Sequence, residues 1–473
     1  MYDNYVQKLI RQFAEDSQYR TALTIYDGAE LVNVTYAELA EEILRAAAVL
    51  KAKSITGKHI ALVGANSKEW IVSFLAIAAN GNVVVPINPA MPRELTLSQC
   101  EMADVFAICG DGLDIEPFQG DIQCLEYGML QGVEIMKLDE IVSAEASDLA
   151  MLLFTSGTTG ESKAVEITYG NMESCLRSDD AVFGEKVISR IMSVLPMFHI
   201  AGVRGTLAML CRYKTVCIGR GVMYLFRDMP KLLPDYVLLV PMMVDSLVKI
   251  VRHTPKEDVE KFLGKNLKRI CVGGAMVNPE DCRYLMAEGF ELDCGYAMTE
   301  TTGVGTWGKW DDAHFNTVGK LSSELECKVE EGELLFKGPA IMKGYYKDPQ
   351  ATEKALESGW FHTGDLGFFD EDEYCYLTGR KKNLIVMDNG EKINPEELEY
   401  YFQKHSAVQE CMVCYCDGVL CVEFCTTDPD AAAELVEVYN EKMPRSHRIH
   451  RITYRDEPIK RTANGKIIRE DKR

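Results

Sequence analysis

Leu152-Leu153-Phe154-Thr155-Ser156-Gly157-Thr158-Thr159-Gly160-Glu161-Ser162-Lys163 runs from an apolar strand into a loop of hydroxyls and glycines that ends on a lysine. Glycine lets backbone N–H groups come close to phosphate oxygens, Ser and Thr add donors, and lysine supplies a mobile positive charge. The stretch reads as a phosphate-binding loop. Gly/Ser/Thr surface loops are common, but so many donors on one loop argue against that reading. It is not a Walker A loop, which needs G-x-x-x-x-G-K-[ST]; Gly160 and Lys163 are only three apart. No G-x-G-x-x-G follows a strand, which weakens a dehydrogenase reading.

Outward from this loop, strands and helices alternate. Residues 35–50 have apolar positions spaced by three and four, an amphipathic helix with Thr35 and Glu38 as a capping box. Strands are expected at His59–Val63, Val83–Ile87, 149–154, 191–195, 215–218, 236–240 and 269–272, with helices at 67–79 and from Tyr169. Such alternation implies parallel sheets covered by helices. The texture changes at Gly379-Arg380-Lys381-Lys382-Asn383, a polar, basic stretch. A helix from Pro395, two strands around 410–426 and a helix around 430–442 follow, an α+β pattern. The fold class is α/β, with a large N-terminal domain of layered sheets and helices (1–379) and a small α+β C-terminal domain (380–473).

The chain has 473 residues, too many for one core of roughly 250–300. Its net charge of −21 argues against nucleic acid and anionic lipid as partners. Positive charge gathers late, at Arg445, Arg448, Arg451, Arg455, Lys460, Arg461, Lys466, Arg469, Lys472 and Arg473. Such a tail is a solvated face or a contact for a polyanionic small molecule. No secretory signal is expected, because Asp3, Lys8 and Arg11 interrupt the start. The apolar run at 70–79 is too short to span a bilayer, so a cytoplasmic protein without membrane insertion is expected. The 16 cysteines then read as buried thiols. Cys411, Cys414, Cys416, Cys421 and Cys425 lack a second C-x-x-C, so they read as strand residues and not as a zinc site.

Taken together the motifs resemble the adenylate-forming superfamily of acyl-CoA synthetases, nonribosomal-peptide adenylation domains and luciferases. The opening loop resembles its T-S-G-[ST]-T-G-x-P-K-G signature, with Ser162 for the usual Pro and Ala164 for the usual Gly. Neither change removes a donor or the lysine. The resemblance continues in order through residues 34–39, 195–202, Gly273-Gly274-Ala275, Gly295-Tyr296-Ala297-Met298-Thr299-Glu300, Thr363-Gly364-Asp365, Gly379-Arg380, residues 390–399 and Thr462-Ala463-Asn464-Gly465-Lys466. The Phe198-His199-Ile200-Ala201-Gly202 stretch is similar to the acyl- and aryl-CoA ligase branch.

That resemblance implies ATP-dependent activation of a carboxylic acid to acyl-AMP, followed by thioester formation with CoA. ATP or AMP would lie among Thr155, Ser156, Gly157, Thr158, Thr159, Gly160, Lys163, Gly274, Ala275, Gly295, Tyr296, Thr299, Asp365 and Arg380. Within that set Tyr296 would stack on adenine, Asp365 would accept from both ribose hydroxyls, and Arg380 would add a fork to ribose or phosphate. Glu300 would be the Mg²⁺ ligand and Thr299 a donor to the α-phosphate. Lys466 would be the catalytic cation bridging carboxylate and α-phosphate. His199, Gly273 and Ala297 would border the acyl pocket. The small domain would be mobile and turn about Lys382, and Gly390-Glu391-Lys392 would then line the thiol tunnel.

Ala297 stands where glycine is usual, and its methyl would narrow the pocket toward a short, branched or aryl acid, an o-succinylbenzoate-like one included. The small domain is trimmed between Phe424 and Arg445, which leaves a separate acyl carrier protein open as an alternative acceptor to CoA. A non-catalytic nucleotide-binding regulator and a luciferase-like oxygenase are the readings from other classes. Against the first stand Lys163, Glu300, Asp365, Arg380 and Lys466, all present.

Overall fold

The computed structural model describes residues 4–16, 19–155, 162–183, 188–274, 277–311, 313–388, 391–405 and 407–459. The helix expected after Thr35 spans Tyr36–Ala52. Its capping box is formed: the Glu38 amide donates to Thr35 Oγ1 at 3.2 Å, and Glu38 Oε2 accepts from the Thr35 amide at 2.7 Å. The apolar run that is too short for a membrane is the helix Lys68–Ala79, buried at every position from Trp70 to Ala79. No helix among the described residues is long and apolar enough to cross a membrane.

Two large sheets organise most of the chain. The first has nine strands in the order Lys320–Leu321, Gly305–Lys309, Glu291–Ala297, Arg269–Gly273, Tyr236–Leu239, Arg190–Ser193, Thr215–Ile218, Thr21–Asp27, Glu30–Thr35. The run from Glu291–Ala297 to Thr21–Asp27 is parallel. The second has seven, in the order Gly344–Tyr345, Lys163–Thr168, Leu149–Thr155, Val83–Ile87, His59–Val63, Val105–Gly110, Gln123–Glu126. Val83–Ile87 is buried at all five positions, as a strand covered on both faces must be. One core cluster holds residues of both sheets (Leu23 and Val216; Ile60 and Leu153) together with the helices Tyr36–Ala52, Lys68–Ala79 and Ile200–Leu210.

Helix–strand alternation did not lead to the third sheet, an antiparallel one of Glu326–Glu330, Glu333–Lys337, Phe361–Phe369 and Cys375–Arg380. Its central strands give little period-2 signal, because Glu333–Lys337 is buried at its first four positions and Phe361–Phe369 contains Gly364 and Gly367. The last of these strands ends at Arg380, where the change of texture occurs. Beyond it a separate core forms around Phe402, Val413, Val422, Phe424 and Val436. It lies between the helices Pro395–Gln403 and Pro429–Lys442 and a sheet of Glu410–Cys416, Val419–Cys425 and Ile449–Arg455. The clustered cysteines all lie on the first two of these strands, with Cys414 directly opposite Cys421. Cys411 is fully buried there.

Candidate active site

Parallel strands deliver their carboxyl ends to one edge of a sheet, and that edge is where ligands bind in open α/β folds. Here three such ends carry candidate residues. After Arg190–Ser193 the chain reaches His199. Arg269–Gly273 leads to Gly274, and Glu291–Ala297 leads to Thr299 and Glu300.

The polar centre is Asp365, 4% exposed. It lies directly across the antiparallel pair from Arg380, whose Nε donates to Oδ1 at 2.6 Å. Tyr296 Oη donates to Oδ2 at 2.6 Å. The Thr363 hydroxyl accepts the Asp365 amide and donates to the Leu334 carbonyl, fixing the bend in which Gly364 has φ +68°. Glu333 accepts from the Gly364 amide at 2.9 Å and from Lys381 Nζ at 2.6 Å. Burial, and then the Asp365 charge, push the Tyr296 phenol well above its ordinary value, so Tyr296 stays a donor. A carboxylate offers about four acceptor positions. Two of these are engaged by Arg380 and Tyr296.

A second group forms around Glu300. Tyr345 Oη donates to Glu300 Oε1 at 3.0 Å, and Lys163 Nζ sits 4.8 Å above the Tyr345 ring. Tyr345 pairs with Val165 in the sheet, which brings the lysine end of the phosphate loop to the Glu300 turn. Burial and Glu300 raise the Tyr345 phenol above its usual range. Neither Tyr345 nor Glu333 was singled out from sequence; each precedes or follows a motif, and only the fold brings it in. Asn66 was missed likewise. Its side chain accepts from the Met197 amide at 2.8 Å and donates to the Leu195 carbonyl at 2.8 Å, holding the loop that leads to His199.

Gly273 and Gly295 are direct partners across two parallel strands, and a Cβ on Gly295 would come within 3.2 Å of the Thr306 carbonyl oxygen. Gly274 follows with φ +88°, a conformation that favours glycine. Ala297 is exposed at the end of its strand, opposite Gly305. Thr155 ends the loop's strand opposite Lys163, and the Ser162 hydroxyl donates to its carbonyl. Lys382 is exposed in the turn Lys381–Asn383, and Glu391 and Lys392 are exposed near the pair Ile385–Val386 and Lys392–Ile393. Ser156, Gly157, Thr158, Thr159, Gly160, Ala275, Gly390 and Lys466 lie outside the described residues.

His199 is half-buried at the start of the helix Ile200–Leu210, its ring 4.7 Å from that of Phe198. Burial disfavours the imidazolium and lowers its pKa. An NMR titration is expected to place its midpoint below the usual value of about 6.5. The folded state then binds fewer protons than the unfolded chain. The stability this ring contributes is complete above about pH 6.5 and is lost as pH falls through the lowered midpoint. A midpoint at or above that value would contradict the apolar setting.

A half-buried His199, a buried carboxylate held by Tyr296 and Arg380, and a lysine close to the Glu300 turn are the parts a nucleotide-dependent, adenylate-forming class of enzyme requires. The model of the AMP-binding enzyme family matches residues 10–346. The chain belongs to that family, in its AMP-forming acyl- and aryl-CoA synthetase branch. A 2-succinylbenzoate–CoA ligase of Bacillus cytotoxicus is 27% identical over 446 residues, 88% of each chain. A long-chain-fatty-acid–CoA ligase of Mycobacterium bovis is 25% identical over 505 residues, 91% of this chain and 83% of its own. Among solved structures, O-succinylbenzoate coenzyme A synthetase from Bacillus subtilis in complex with AMP superposes with a TM-score of 0.85. It is 25% identical, and the match covers 97% of this chain and 96% of that one. The same enzyme with ATP and magnesium ion gives 0.84 at 25% identity, over 97% of this chain and 98% of that one.

Proposed function

We propose how the residues of this site divide the work of an AMP-forming acid–thiol ligase. The enzyme uses Mg-ATP to convert a carboxylic acid to acyl-AMP and then transfers the acyl group to CoA. In the first half-reaction a carboxylate oxygen bonds to the α-phosphorus and the bond to the β-phosphate bridge breaks, releasing pyrophosphate. In the second the CoA sulfur bonds to the carbonyl carbon and AMP leaves. Catalysis of this kind is positioning and charge neutralisation.

The observation that carries the assignment is the buried Asp365, held between Tyr296 and Arg380. Its carboxylate takes the ribose hydroxyls. The adenine lies against Tyr296 and the glycines Gly273, Gly274 and Gly295. Thr155, Thr299, Lys163 and the loop at 156–160 hold phosphate oxygens, with Ala275 close to the base. His199 borders the acid as a neutral ring. Lys466 supplies the cation at the α-phosphate. Residues 380–473 act as the small mobile domain, turning at Lys382 so that Gly390, Glu391 and Lys392 face the thiol.

Among the described residues no group of three or more His, Cys, Asp or Glu side chains gathers into a metal cage. Glu300 alone fits Mg²⁺, which keeps waters and phosphate oxygens and takes only one or two carboxylates. When bound, the ion neutralises charge on the phosphates. The sixteen cysteines are mostly buried, as small apolar side chains in a reducing, cytoplasmic setting would be.

For the acid we propose a short, branched or aryl compound, on the extra methyl of Ala297 and the 2-succinylbenzoate–CoA ligases among the relatives. Ala297→Gly is expected to widen tolerance along a chain-length series of acids by about tenfold for the longer members, the scale of one or two methylenes in an apolar pocket. An unchanged series would sink the pocket role of Ala297.

The whole reading is tested by incubating the protein with Mg-ATP and a panel of carboxylic acids, with and without CoA, and detecting AMP and acyl products by mass. A CoA thioester formed with turnover supports it and names the acid class. Acyl-AMP that accumulates and ignores CoA would redirect the acceptor to a carrier protein. Tight ATP binding with no product from any acid would favour a non-catalytic regulator.

A further inference from the structure

One charged side chain outside these motifs touches three elements that the site depends on. Arg204 lies one turn into the helix that begins after His199. Its Nε and Nη2 both donate to Asp179, the former at 3.2 Å to Oδ2. Asp179 is 1% exposed on the helix Tyr169–Phe183, which directly follows the strand that starts at Lys163. The third arm of the fork, Nη1, donates to the Gly303 carbonyl. Gly303 belongs to the turn that presents Thr299 and Glu300.

Other contacts reach that turn at Glu300, where the Met342 amide donates to the carbonyl at 2.8 Å and Tyr345 to the carboxylate. The turn's amides close on themselves, Thr302 onto the Thr299 carbonyl and Gly303 onto the Met298 carbonyl, both at 2.9 Å. Thr302 and Gly303 both have positive φ, +53° and +75°. A residue other than glycine with positive φ is strained and keeps that conformation only when its surroundings impose it. Two contacts bear directly on this positive-φ pair. The Thr302 hydroxyl donates to the Ala340 carbonyl at 2.8 Å. Arg204 packs its stem so closely on Gly303 that a Cβ there would sit 3.0 Å from Arg204 Cδ and 3.2 Å from Ile200 Cγ1.

We propose that Arg204, fixed by Asp179, is a positioning residue that sets the Thr299–Glu300 turn for phosphate and metal, and so couples the helix of the acid pocket to the nucleotide's charged end. A guanidinium suits the task because its planar fork reaches a carboxylate and a carbonyl at once, which an ammonium on a flexible stem does not. This inference rests on the proposed nucleotide site.

The test compares two probes on the full chain by titration calorimetry: Mg-AMPPCP, a non-hydrolysable ATP analogue, and adenosine, which lacks phosphate. Arg204→Lys keeps the charge and loses the fork. It is expected to weaken Mg-AMPPCP about tenfold and adenosine less than twofold. Asp179→Asn, which leaves Arg204 in place but releases its anchor, is expected to show the same split. Equal weakening of both probes would mean general loosening and would overturn the proposal, as would no change in either. Failure of both variants to fold would also overturn it, since the pair would then hold the fold and not the turn. If the unaltered protein bound neither probe, the nucleotide site itself would fall, a different outcome.

Discussion

Asp365→Ala is expected to raise the dissociation constant for ATP about 100-fold and to erase discrimination between ATP and 2′-deoxy-ATP. A hydrogen bond to a charged group contributes roughly 1.5–3 kcal/mol. Two such bonds to ribose, discounted for water entering the emptied position, come to about 3 kcal/mol, or ~10²-fold in affinity. The geometry makes the loss specific. Asp365 is buried, and its two engaged acceptors are taken by Arg380 and Tyr296. The carboxylate is therefore oriented by partners that cannot easily move. The side chain of Arg380 is 22% exposed and can reach water when its partner is removed, so the fold should survive the substitution. Calorimetric titration with ATP, 2′-deoxy-ATP and 3′-deoxy-ATP checks this. The unaltered protein should separate the three and the variant should not. A variant that kept the separation would show that Asp365 only braces Arg380 and Tyr296.

The second large effect is expected at Lys466. Removing one charge-stabilising contact from a water-excluded site costs roughly 3–4 kcal/mol, ~10²–10³ in rate. Lys466→Ala should lower acid-dependent ATP–pyrophosphate exchange by that factor. It should leave thioester formation from a supplied acyl-adenylate and CoA within about threefold, because in the proposed second half-reaction the loop at 390–392 takes its place. Equal loss in both half-reactions would mean that Lys466 acts on folding or on AMP itself, and no loss in either would remove it from the site. The residue lies outside those the structure describes. Its assignment rests on Asn464-Gly465-Lys466 and on the family to which the chain belongs.

Much of this molecule was legible before any coordinates. The capping box of Thr35 and Glu38, the strands at His59–Val63 and Val83–Ile87 and the helix from Pro395 all lie where local pattern placed them. Local chemistry is enough there, because a cap or a fully buried strand is specified by residues a few positions apart. The antiparallel sheet containing Asp365 does not stand out in the sequence, because Glu333–Lys337 is buried at four successive positions and Phe361–Phe369 is interrupted by Gly364 and Gly367. Asp365 was nevertheless picked out, by Thr363-Gly364-Asp365, and so was Arg380. That the two face each other at 2.6 Å is a matter of register between strands, which no motif states.

The amino-acid order by itself determined the family and the α/β alternation, and supplied the residues proposed for phosphate, ribose and carboxylate, because each is carried by short-range pattern. Only the tertiary structure decided which side chains support them. Tyr345 reaches Glu300 from 45 residues away, Asn66 reaches Met197 from 131, and Arg204 reaches Gly303 from 99. Such contacts depend on which strand ends share an edge and which helices pack beside them, and that is settled by burial of the whole core and by no local rule.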